Sequence, residues 1–235
     1  MKKVLIIILA SIIVTSCSHP NSNTIDKNDV KVVYNNVANY LKEVSNTGNK
    51  QKNIKRKAYV ESDQYTLLQS MTALIKWCEY MYSDESFVYS NEQIVTFNMN
   101  LGSPLKAAIL TTCDTENNKF YTSLALGETL NDENTFFYHF DVDYNFSNNS
   151  ISSFEIRQGG LNIDYLNIHY KYENNLFYEF DPSTDSEDED VVIIIEQTIN
   201  LMEEFKSKLT DVIHIDKDYS EYYNNAMSFA FGDSY

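Results

Sequence analysis

Residues 136–146 read Phe136-Phe137-Tyr138-His139-Phe140-Asp141-Val142-Asp143-Tyr144-Asn145-Phe146. Phe136, Tyr138, Phe140, Val142, Tyr144 and Phe146 share one parity, and His139, Asp141, Asp143 and Asn145 share the other. Side chains of a strand alternate between faces, so this stretch predicts a strand with one apolar and one polar face. The same period of two extends upstream. Val95, Phe97, Met99 and Leu101 alternate with polar residues and stop at Gly102-Ser103-Pro104. Leu105, Ala107 and Ile109 then lead to Cys113, and a turn around Glu116-Asn117-Asn118 leads to Phe120, Thr122, Leu124 and Leu126.

Downstream, register follows from keeping apolar residues on one face. An Asn148-Asn149-Ser150 loop sets Tyr144 opposite Phe154 and Val142 opposite Ile156. Gly159-Gly160 suits a two-residue type I′ turn, setting Ile156 opposite Ile163 and Phe154 opposite Tyr165. After Tyr165 the apolar parity moves to Leu166, Ile168, Tyr170 and Tyr172, which predicts a β-bulge. A Glu173-Asn174-Asn175 loop then sets Tyr172 opposite Leu176 and Tyr170 opposite Tyr178. The expectation is an antiparallel meander of about seven strands.

Helical spacing flanks this block. Val30, Val33, Val37, Tyr40 or Leu41, and Val44 predict a helix from Asp29 to about Ser45, stopped by Gly48. Leu67, Met71, Leu74, Cys78 and Met81, widened by Leu68 and Trp77, predict a second from about Ser62 to Tyr82. A long C-terminal helix starts at Ser186, which makes a capping box with Glu189, and carries Ile195, Ile199, Met202, Phe205 and Leu209. A short helix is expected around Tyr219 to Ala230. The predicted fold is a single α+β domain over residues 29–235, its apolar sheet face covered by the second and the C-terminal helices. That element order is loosely similar to helix-grip and half-barrel lipid-binding folds, a likeness of order alone.

The N-terminus carries a different kind of signal. Lys2 and Lys3 precede an apolar run from Val4 to Val14, too short to span a bilayer, followed by Val14-Thr15-Ser16-Cys17. These residues resemble a bacterial lipoprotein signal peptide with its lipobox. The resemblance implies removal of residues 1–16, a diacylglyceryl group on Cys17 and often a further acyl chain such as palmitate on its amine. Two chains hold a protein stably on a membrane where one does not. Residues 17–28 would then be the lipidated cysteine and a polar tether, whose stretch 18–24 reaches at most about 25 Å. The implied location is the extracytoplasmic side of a cell membrane.

The chain carries 18 basic residues against 34 acidic ones. Loss of Lys2 and Lys3 with the signal segment deepens the excess of acids, which argues against nucleic acid as a partner. Lys50, Lys52, Lys55, Arg56 and Lys57 form one basic loop, read as solvated or as a contact for anionic lipid near the anchor. Of the 18 tyrosines, Tyr138, Tyr144, Tyr165, Tyr170, Tyr172 and Tyr178 fall at core parity in the predicted strands. With Cys17 committed to lipid, Cys78 and Cys113 remain, either as a disulfide or as two buried thiols.

Chemistry is sparsely written. The register above sets Asp143 opposite Glu155 and Glu155 opposite Asp164, three carboxylates side by side on the polar face. They would suit calcium or magnesium, or supply a general base; otherwise Arg157 and water relieve their repulsion. The acidic run 181–190 lacks the glycine and closing glutamate of an EF-hand loop. No GxSxG, HExxH, P-loop or GxGxxG occurs. The leading expectation is a non-enzymatic lipid-anchored envelope protein that binds a small molecule or a protein partner. The alternatives are a carrier of an apolar or lipid ligand between sheet and helices, and a metal-assisted hydrolase at Asp143, Glu155 and Asp164.

Overall fold

The computed structural model describes residues 25–48, 64–130, 135–160, 168–173, 176–180 and 189–232. The lipobox with Cys17, the basic loop, the Ser186 capping box and the bulge expected near Tyr165 lie outside these residues. Two helices come first, α1 (Lys27–Gly48) and α2 (Gln64–Ser83), followed by seven strands: β1 (Ile94–Asn100), β2 (Pro104–Asp114), β3 (Lys119–Gly127), β4 (Phe136–Asn145), β5 (Ser150–Gly160), β6 (Ile168–Glu173) and β7 (Leu176–Phe180). Then follow α3 (Glu189–Ser207), β8 (Ile213–Asp218) and α4 (Ser220–Phe231). Strand order is β7-β6-β5-β4-β3-β2-β1-β8, so the expected antiparallel meander is present and gains one strand. That strand, β8, was not legible beforehand and runs parallel to β1. The molecule is α+β, as the periodicities predict.

Helix α1 begins two residues before the expected start because Asp26 caps it. Its Oδ1 accepts the N–H groups of Asn28 at 2.8 Å and Asp29 at 3.0 Å, satisfying donors that have no partner inside the helix. Val30, Val33, Tyr34, Val37 and Leu41 put one buried stripe on the sheet and on α2. In α2, Leu68, Met71, Ile75, Trp77, Cys78 and Tyr82 are all buried, because α1, α4 and the sheet surround it. These side chains meet Phe97, Phe120, Phe140 and Phe154 from the sheet in one continuous core. Tyr34 crosses that core with its hydroxyl bonded to Thr111 Oγ1 at 2.6 Å and Thr122 Oγ1 at 2.8 Å. Tyr82 donates to the same Thr111 at 2.8 Å. The C-terminal end is fastened to α2. Trp77 Nε1 donates to the Tyr219 carbonyl at 3.0 Å, and Asp84 accepts Lys217 and Tyr222.

The sheet buries both faces. Helices α1, α2 and α4 cover the first, but α3 covers part of the second instead of sharing the first. Ile94, Ala108, Ala125 and Phe137, all of the opposite parity to the main core, pack against Met202 and Phe205 of α3. Phe137 and Phe205 meet edge to face with ring centres 5.5 Å apart. The second-face contacts explain why β2 and β3 are apolar on both parities, as strands covered on both sides are.

Registers around β5 differ from expectation. Phe140 faces Ile156, Val142 faces Phe154 and Tyr144 faces Ile151, with a bulge between the last two pairs. The cause lies in the turn. Asn145 Oδ1 and Asn148 Oδ1 each accept the N–H two residues on, and Asn149 adopts a left-handed φ of 56°, closing the hairpin at Asn145 and Ser150. Gly159 and Gly160 form no turn; they extend β5 opposite Phe137 and Phe136. Strand β6 therefore places Lys171, not Asp164, opposite Glu155. The next hairpin pairs Glu173 with Leu176, so Tyr172 faces Phe177.

Candidate functional site

The part of the second face that α3 does not cover is a cleft of about 690 Å³. Its floor comes from one parity of three adjacent strands: Tyr121 and Ser123 of β3, His139 and Asp141 of β4, and Arg157 of β5. Helix α3 supplies one wall through Gln197, Asn200 and Glu204, and Leu110, Leu201 and Phe205 form its apolar end. These strand residues lie on a flat ladder because each pair is in direct register: Ser123 with His139, and His139 with Arg157. Facing side chains in such pairs sit about 5 Å apart at Cβ.

His139 is buried, bonds Ser123 Oγ through Nδ1 at 2.8 Å, and stacks on Tyr121 with ring centres 6.3 Å apart. Burial, reinforced by the Arg157 charge, pushes its pKa down to about 4. A neutral imidazole this weakly basic takes little of the Ser123 proton at neutral pH, so the pair suits hydrogen-bonding recognition better than nucleophilic attack. Arg157 has a side chain 11% exposed. Its Nη2 donates to Glu155 Oε2 and to Gln197 Oε1, each at 3.1 Å, tying the sheet to α3. Its Nη1 is buried and, among the described residues, has no hydrogen-bond partner. A buried donor without a partner costs about 1–3 kcal/mol, a cost that the two bonds at Nη2 offset.

The carboxylates predicted on this face are present in a different arrangement. Asp143 lies opposite Ser153 and accepts its hydroxyl, while Asp141 lies opposite Glu155. Lys119 bridges Asp141 at 3.1 Å and Asp143 at 2.6 Å. Glu155 meets Arg157 at 3.1 Å and Lys171 at 3.7 Å. Burial works against the charge of Asp143, but Lys119 and Ser153 outweigh it and hold the carboxyl below its ordinary range. Asp141 is more deeply buried, and there burial wins and raises its pKa despite Lys119. Among the described residues no group of three His, Cys, Asp or Glu side chains is disposed to hold a metal ion. The expected row of Asp143, Glu155 and Asp164 is not formed by this register, and Asp164 itself lies outside the described residues.

Comparison with known proteins finds no matching family model, no matching curated sequence and no matching solved structure. The site must be read from its own chemistry. Cys78 and Cys113 are buried free thiols in this structure rather than a disulfide. Burial pushes the Cys113 thiol up to about 12 and the Cys78 thiol well above its usual range, so neither is an activated nucleophile. A second cleft of about 540 Å³ adjoins the first, shares Glu92, Thr112 and Tyr121 with it, and reaches Ile25 and Lys27 at the start of α1. No described helix is long and apolar enough to cross a membrane.

Sequence reasoning placed Asp141, Glu155, Arg157 and His139 on one polar face but read that face as the outer surface. Tyr121, Ser123 and the α3 residues were missed. The available signal was the double apolar parity of Ala107-Ala108-Ile109-Leu110 and Leu124-Ala125-Leu126, which marks strands covered on both faces.

Proposed function

We propose that this protein is a lipid-anchored, extracytoplasmic binding module that takes a small polar molecule in the cleft between the sheet and α3. The observation that carries the reading is the floor of that cleft: His139 bonded to Ser123, beside a nearly buried Arg157 whose guanidinium is fixed by Glu155 and Gln197. Fixed polar groups in a concave site confer orientation and specificity on a ligand. The anchor rests on the lipobox ending at Cys17, and the first described residue, Ile25, is eight positions beyond it. An apolar-ligand carrier is less well supported, since Trp77, Tyr34, Phe97, Phe120 and Phe140 fill the space between the sheet and α1 and α2.

Two measurements test the two halves. Cells expressing the protein with an alkyne-bearing fatty acid should label the wild type and not Cys17→Ser; equal labelling of both removes the anchor. Equilibrium dialysis against a mixture of small polar metabolites, read by mass spectrometry, should enrich at least one compound. A Ser123→Phe variant, which fills the cleft floor, should lose that enrichment while keeping its far-ultraviolet spectrum. Enrichment that survives Ser123→Phe places binding elsewhere.

A further inference from the structure

We infer that the molecule taken by the cleft between the sheet and α3 is an uncharged sugar. The inference rests on the cleft being the binding site and adds the chemical class of the ligand. Net charge argues first against an anion. Of the side chains that line the cleft, Glu92, Asp141 and Glu204 are acidic and only Arg157 and Lys208 are basic. Arg157 is moreover spent on Glu155 and Gln197. A cation fares little better, because two of the three carboxylates are already matched. Lys119 pairs with Asp141 at 3.1 Å, and Lys208 pairs with Glu204 at 2.8 Å. Glu92 has no ion pair among the described residues, but it is exposed, and charge attraction at such a position is weakened by water and salt.

The lining that remains is rich in acceptors and divided between polar and apolar parts. A carboxylate paired to one cation keeps further lone pairs, so Asp141 on the floor and Glu204 on the wall can each accept a ligand hydroxyl. Gln197 gives its oxygen to Arg157 and keeps its NH₂ donors, while the Asn200 amide beside it on α3 carries both a donor and an acceptor. Hydroxyls, which donate and accept, answer such a set better than a ligand that only accepts. Leu110, Leu201 and Phe205 form the apolar end, and the floor presents Tyr121, whose ring lies 26° from that of His139 with centres 6.3 Å apart. A sugar ring is divided the same way. Its rim carries hydroxyls, and its C–H faces pack on aliphatic and aromatic surfaces. At about 690 Å³ the cleft lies within the range of sites that enclose small molecules.

The test uses the purified full-length protein in a detergent without sugar groups, and matched sets of sugars that differ in charge: glucose, glucosamine and glucuronate, with the corresponding galactose and mannose sets. Titrations are followed by nuclear magnetic resonance at the side-chain amide of Asn200, which Asn200→Ala assigns by its loss. At least one neutral sugar should shift that signal saturably and bind at least tenfold more tightly than its amino and acidic counterparts. Asn200 is exposed on α3, so Asn200→Ala should leave the backbone amide spectrum unchanged outside its own turn while lowering the affinity at least fivefold. Tighter binding of an amino sugar or a uronate than of its neutral parent overturns the inference while the cleft stands as a site. Unchanged affinity in Asn200→Ala also overturns it, since the sugar then sits elsewhere. If none of the neutral sugars perturbs Asn200, the inference fails, and the dialysis result decides separately whether the cleft binds anything. The comparison within each set needs no variant, so a misfolded Asn200→Ala does not rescue the idea.

Discussion

Tyr34→Phe removes one oxygen from the centre of the molecule and tests how the helical layer is joined to the sheet. The Tyr34 hydroxyl, fully buried, bonds Thr111 at 2.6 Å and Thr122 at 2.8 Å. Thr111 retains Tyr82 as a partner at 2.8 Å after the change, whereas Thr122, itself fully buried, loses its side-chain bond. Two net hydrogen bonds are worth about 1–3 kcal/mol together, and stranding the Thr122 hydroxyl puts the total toward the upper end, about 2–3 kcal/mol. Thr122→Val alone should cost less, about 1 kcal/mol, because Tyr34 keeps Thr111. The double variant should cost clearly less than the sum of the two, since the stranded hydroxyl is gone. Urea denaturation followed by circular dichroism measures all four proteins. Strict additivity, or a Tyr34→Phe cost below about 0.5 kcal/mol, would show that the hydroxyl network does not bind the layers.

The pKa of His139, held near 4 by burial and by Arg157, lies below its ordinary value of 6.5. Between those values the unfolded chain binds the extra proton, so stability should fall as pH drops from about 6.5 to 4, and His139→Gln should flatten that part of the profile. Phe205→Ala removes the ring that meets Phe137. It should cost about 3–5 kcal/mol if α3 melts with the whole domain; if α3 detaches first, hydrogen exchange will rise in α3 alone while α1 and α2 stay protected. Cys78 and Cys113 should resist alkylation in the native protein and react once it is denatured. Fast native labelling of either would contradict their burial.

Much of the fold was legible because its periods are clean. The stripes at Val30–Leu41 and Leu68–Met81 bury the residues they predict, and in 136–146 Phe140, Val142 and Tyr144 are buried as predicted, whereas Phe136 is exposed and Phe137 and His139 are buried on the other face. Register was less accessible, since the Asn145 and Asn148 side chains compete for the turn and allow more than one closure. Strand β8 was hidden for another reason: Ile213-His214-Ile215 is short, half-buried and paired to a strand far away in sequence. The cleft was hidden because it needs α3 on the second face, and the apolar stripe of a helix does not say which side of a sheet it will cover.

The parallel pairing of β8 with β1 also governs when this protein can finish folding. Thr96 and His214 touch across 118 residues, whereas the neighbouring strand pairs of the meander close through local hairpins. As the chain emerges, β1 holds a bare backbone edge flanked by Ile94, Val95 and Phe97 until β8 arrives. A product truncated near residue 210 would keep its cleft residues yet lack that cover, and would be prone to pair with another copy through the open edge. Arrival of β8, rather than formation of the cleft, is therefore the step that closes this edge of the sheet.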